Sequence, residues 1–97
     1  MDLESVTHFQ ADGHYVRVHT TGGEDPLSQL SLADLEKRLD PGQFLRVHRS
    51  YIVNLRFVSE LHREDDRHLL IMGGPGKQRI PISRRKVAEV RSQLGLS

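Results

Sequence analysis

The sequence predicts a small, mainly-β domain built from antiparallel strands. Three observations carry that expectation. Apolar residues alternate with polar ones at period two along much of the chain. Clusters of Gly, Asp and Pro cut these runs into short pieces. Only two segments show helical spacing, and strands follow strands instead of alternating with helices, the pattern of an antiparallel sheet. At 97 residues the chain has room for a single domain, residues 1–97, with one modest core.

The elements follow in order. A short strand is expected over about residues 4–10, with Val6 and Phe9 as its inward candidates. Ala11-Asp12-Gly13 is a turn. His14 to Thr20 then alternates, Tyr15, Arg17 and His19 on one face and Val16 and Val18 on the other. Thr21 to Pro26 is again turn chemistry, and residues 27–30 can form a further short strand. Leu32, Leu35 and Leu39 lie at helical spacing behind Ser31, a good N-cap, and Asp34 stands three residues on, near a capping box. Early acids and late Lys37 and Arg38 match the helix dipole, and Asp40-Pro41-Gly42 ends the helix.

Phe44 to Leu55 is strand material, but His48-Arg49-Ser50 places three polar residues between two apolar runs, which marks a bend or loop. Val58, Glu60 and His62 alternate, Glu64 to Arg67 reads as a hairpin turn, and His68 to Met72 returns. Gly73-Gly74-Pro75-Gly76 is a second turn before a last strand, Gln78 to Ile82. Ser83 to Leu94 has helical spacing through Val87, Val90 and Leu94, with Ser83 as the expected N-cap and Gly95 as the stop. Arg84, Arg85 and Lys86 then fall in the first helical turn, against the dipole preference for anions. A phosphate there would meet helix N–H groups and three cations together.

Composition excludes several classes of function. Without cysteine there are no disulfides, zinc–thiolate sites or thiol nucleophiles. The most apolar run, Tyr51 to Leu55, is far shorter than the ~20 residues of a membrane span. The acidic start Met1-Asp2-Leu3-Glu4 has no apolar core of a signal peptide, so an intracellular, cytoplasmic domain is expected. None of the six histidines has a metal-site spacing, and neither a nucleophile elbow nor a phosphate-binding Gly-Lys-Ser/Thr loop is present. Catalysis, a bound metal and a cofactor are therefore not expected.

The charge is divided. The net charge is +1, but residues 1–45 carry three cations against eight acids and residues 46–97 carry eleven cations against five. Nine of those eleven are Arg, the side chain suited to phosphate and guanine. An acidic half pairing with a basic half inside one fold explains the split equally well. The polar side chains that turns would project are His14 and Tyr15, Arg49 and Ser50, and Arg84 to Lys86. Loops of this kind on rigid strands suit nucleic acid, some side chains on phosphates and a few on base edges. The alternative is a β-module whose basic half docks an acidic protein partner.

Phe44-Leu45-Arg46-Val47-His48-Arg49-Ser50-Tyr51-Ile52-Val53-Asn54 resembles the hallmark of the LytTR family of DNA-binding domains. Gln10 to Val16, Leu30 to Leu39 and Ile80 to Arg85 resemble three further family blocks in order and spacing. The resemblance implies an elongated antiparallel β-sandwich of short strands with one or two short helices. It implies an output domain from the C-terminal part of a larger bacterial transcription regulator, with a sensory domain elsewhere in that protein. Such domains bind double-stranded DNA through loops in successive major grooves, without a recognition helix, commonly as dimers on tandem direct repeats. By position, Arg49 and Arg84 would contact bases, with His14 or Tyr15 from the first loop. Arg46, His48, Ser50, Ser83, Arg85 and Lys86 would contact the backbone. Where some members carry Asn, Arg49 would favour guanine over adenine. For His48 the readings are a phosphate contact or a ring that orients Arg49, against a half-buried ring bonded within its own strand.

Overall fold

In the computed structural model, which describes residues 2–74 and 77–95, eight strands form two antiparallel sheets. The strands are β1 (Val6–Asp12), β2 (Tyr15–Thr20), β3 (Leu27–Ser28), β4 (Phe44–His48), β5 (Tyr51–Asn54), β6 (Val58–Glu64), β7 (Arg67–Met72) and β8 (Arg79–Ile82). The helices are α1 (Leu32–Arg38) and α2 (Val87–Gln93). The larger sheet has the order β3-β2-β1-β5-β4 and the smaller β6-β7-β8. The long axis is 34 Å against 26 and 24 Å across.

Alternation along the strands of the larger sheet explains the layering, because it has two faces to bury. On one face Val6, Phe9, Val16, Val18, Phe44 and Ile52 pack against Leu32 and Leu35 of α1 and Leu39 just after it. On the other, Leu45, Val47 and Val53 meet Leu70, Met72, Ile80 and Ile82 of the smaller sheet and Val90 of α2. Helix α1 thus covers one side of the larger sheet, and the smaller sheet with α2 covers part of the other. Ser31 Oγ accepts the Asp34 N–H at 3.1 Å, the cap its sequence called for.

Several boundaries differ from expectation for local reasons. Leu3–Ser5 is a 3-10 turn, capped by Asp2, and β1 starts after it and runs on to Asp12. His14 therefore sits in the turn beside Gly13, whose φ of +62° suits glycine. The expected strand at 27–30 closes at Ser28, whose Oγ takes the Leu30 N–H. The polar triplet at 48–50 is a full chain reversal between β4 and β5, with a bulge between Arg46 and His48. Pro75 and Gly76 of the expected glycine-rich turn lie outside the described residues.

The C-terminal helix needs a larger correction. Arg84–Lys86 form a 3-10 turn, α2 begins at Val87, and Ser83 makes no side-chain cap. Three cations in a first α-turn would oppose the dipole, and the helix instead opens with Glu89 in that turn. The cations thus precede α2 and do not share its first turn of N–H groups.

Candidate nucleic-acid interface

Strand register gathers the sequence-predicted side chains at one end of the molecule. β1 runs antiparallel to β5 with Gln10 opposite Tyr51, so the β1–β2 and β4–β5 turns are neighbours. The Ala11 N–H donates to the Ser50 carbonyl at 2.9 Å and ties them. At the end of β8, the Ser83 N–H donates to the Val47 carbonyl at 2.8 Å and brings Ser83–Lys86 to the same place. One hollow is lined by Arg46, His48, Arg49, Ser83, Arg85 and Lys86 together with Glu36. A second joins His48, Ser83 and Arg84 to Asp66 of the β6–β7 turn and Arg67 at the start of β7.

The cations in this cluster fall into two groups. Arg49, Arg84 and Arg85 are exposed, and among the described residues their side chains have neither hydrogen bond nor ion pair. Lys86 reaches Glu89 at 3.1 Å. Arg46 is half-buried and bonded to its own chain: Nη1 meets Glu36 at 3.1 Å, Nη2 the Arg49 carbonyl at 2.6 Å and Nε the His48 carbonyl at 3.2 Å. Unpaired arginines on adjoining turns repel one another, and an anion laid across them relieves that repulsion.

His48 is a half-buried ring bonded at the turn that follows its strand. Its ring is edge-on to Tyr51, and its Nδ1 accepts the Ser50 N–H at 3.1 Å. That bond assigns the hydrogen to Nε2 in the neutral ring. Burial first, then the charges of Arg49 and Arg46, push its pKa below the usual histidine range. His14 and Tyr15 are exposed in and beside the first turn, and Arg17 behind them is paired with Asp12 at 2.7 Å. The Ser50 hydroxyl is free of hydrogen bonds among the described residues, while its backbone is bonded on both sides.

Two residues in this region carried no sequence signal. Glu36 read as an ordinary exposed helix acid, and only the packing of α1 across the sheet brings it to Arg46. Arg67 read as part of a hairpin turn, and only the pairing of β7 with β8 sets it beside Arg84. Among the described residues no group of three or more His, Asp or Glu could hold a metal. No helix there is long and apolar enough to cross a membrane.

Comparison with known proteins agrees with this geometry. The model of the LytTr DNA-binding domain matches residues 1–95. The chain is 45% identical over 96 residues to the CO-responsive transcriptional regulator RcoM of Rhodospirillum rubrum, covering 99% of the chain and 40% of the regulator. It is 36% identical over 95 residues to the sensory transduction protein LytT of Bacillus subtilis (97% of the chain, 38% of the relative). It is 34% identical over 86 residues to the transcriptional regulatory protein BtsR of Escherichia coli K12 (87% and 33%). The chain thus spans two-fifths or less of the length of these curated relatives. A solved LytTr DNA-binding domain of a putative methyl-accepting/DNA response regulator from Bacillus cereus superposes with a TM-score of 0.85 at 25% identity, over 99% of this chain and 86% of that one. That family is defined by DNA binding and not by catalysis, and the chain belongs to the LytTR family of DNA-binding domains.

Proposed function

We propose that the end bearing the three turns lies on double-stranded DNA and reads its sequence, as the output domain of a bacterial transcription regulator. In this reading Arg49 and Arg84 reach base edges in successive major grooves, and His14 or Tyr15 adds a contact from the first turn. Arg85, Lys86, Ser50, Ser83 and the Nε2–H of His48 hold phosphates. The domain uses no cofactor and works in the cytoplasm. Copies bind tandem direct repeats as dimers, and a sensory domain lies elsewhere in the full protein. One observation carries the reading: exposed Arg49 and the distant pair Arg84–Arg85, without hydrogen bond or ion pair among the described residues, project from turns that hydrogen bonds tie together.

A gel-shift titration across salt concentrations tests it. The two cationic phosphate contacts, Arg85 and Lys86, predict an affinity loss of about ten-fold per bound copy between 50 and 200 mM salt. Arg85→Ala and Lys86→Ala should weaken all duplexes alike, each lowering the slope by about one unit. Salt-independent binding, or capture of an acidic protein with indifference to any duplex, would overturn the reading.

A further inference from the structure

Glu36 is an anomaly at a surface that should attract phosphate. Its carboxylate lines the same hollow as Arg49, Arg85 and Lys86, where an acid repels the DNA backbone. Its partner is Arg46, and Arg46 in turn grips the turn that carries Arg49. The Arg49–Ser50 peptide is held at both polar ends: Arg46 Nη2 donates to its carbonyl at 2.6 Å, and His48 Nδ1 accepts its N–H at 3.1 Å. Arg46 Nε also donates to the His48 carbonyl. A peptide plane fixed at both ends sets ψ of Arg49 and hence the direction in which its side chain leaves the turn. The guanidinium serves two carbonyls and a carboxylate from three separate nitrogens of one rigid plane, a geometry that a lysine ammonium, with its donors on a single nitrogen, does not reproduce.

We infer that Arg46 and Glu36 are positioning residues for base reading: Glu36 orients the Arg46 guanidinium, and Arg46 with His48 clamps the Arg49–Ser50 peptide so that Arg49 is aimed before DNA arrives. A side chain aimed in advance loses less freedom on binding, and the gain goes to the duplex that fits that aim. Three of the N–H donors of Arg46, one on each nitrogen, are engaged within the protein, so its part is to hold the turn and not a phosphate. Helix α1, which contributes no DNA contact, becomes mechanically linked to specificity.

The inference rests on Arg49 as a base reader, and the two are separable. The measured quantity is the ratio of affinities for a selected duplex and for the same duplex changed at the base pair Arg49 reads. Arg49→Ala should collapse that ratio; if it does not, the base-reading assignment falls and the inference with it. Glu36→Ala, an exposed substitution that leaves the core intact, should lower the ratio about two- to five-fold, the range of one partly exposed ion pair. Affinity for unrelated duplex should hold or rise, because an acid has been removed. Arg46→Lys keeps the charge but loses the fork, so the ratio should fall about ten-fold with the salt slope unchanged. In an Arg49→Ala background, Glu36→Ala should cost no further specificity. Collapse of the ratio in Arg49→Ala, with Glu36→Ala strengthening all duplexes equally at a constant ratio, would overturn the inference alone. So would a lowered salt slope at constant ratio in Arg46→Ala, the signature of a lost phosphate contact.

Discussion

Acidification from pH 7 to pH 5 should destabilise the fold by about 2 kcal/mol through His8 alone. Its side chain is buried at 1% exposure, and its ring stacks on His19 with centroids 4.1 Å apart. Nδ1 lies 3.0 Å from the Thr7 hydroxyl, and Nε2 is buried without a partner among the described residues. Burial, and then the proximity of His19, lower its pKa to about 3. The unfolded chain takes up this proton near pH 6.5 and the folded chain does not, so unfolding binds a proton throughout that interval. The contribution is therefore intact above pH 6.5 and is lost progressively as the pH falls toward about 3. Each full unit in the window is worth about 1.4 kcal/mol, which gives the figure at pH 5. His19 is also shifted down, chiefly by burial, and adds in the same direction. Urea unfolding at pH 7, 6 and 5 reads the effect directly. His8→Phe keeps an aromatic ring against His19 and removes the titrating group, so it should shrink the loss by His8's share. A stability flat from pH 7 to 5, or an unchanged pH dependence in His8→Phe, would refute the reasoning.

Other consequences are simpler. Asn54 is fully buried, donates to the Val6 carbonyl at 2.8 Å and accepts the Arg56 N–H; Asn54→Ala should cost about 1–3 kcal/mol in urea unfolding by leaving these groups unpaired. Leu70 is fully buried between the sheets, so Leu70→Ala should lower stability by about 2–5 kcal/mol in the same assay. Ser31→Ala removes the α1 cap and should cost about 1 kcal/mol, seen as a lowered Tm.

Much of the architecture was legible because local signals and burial agree. The leucines behind Ser31, the alternation of Val16 and Val18, and the polar break at His48–Ser50 each became the element they announced. What was not legible is non-local. Alternation put His19 on the correct face of its strand, but nothing nearby says that this stretch is covered, and His19 is buried beside His8. The order β3-β2-β1-β5-β4 depends on a pairing between β1 and β5 across some forty residues. Ser83 looked like a helix cap because Ser often is one; its backbone N–H is instead bonded to Val47. For the candidate site, the cationic side chains were legible as an interruption of strand chemistry. Their division into free and engaged arginines was not, because Glu36 meets Arg46 only after α1 has packed on the sheet.

The central claim is that side chains on these turns read a duplex sequence. Selection of bound sequences from a random duplex pool tests it most directly, with the wild-type chain, Arg49→Ala and Arg84→Ala run in parallel. The account predicts one enriched motif for wild type, with guanine at the position Arg49 reads, and relaxation of a single, different position in each variant at a cost of about 1–3 kcal/mol. An unenriched pool for wild type, or the same motif retained by both variants, would contradict it.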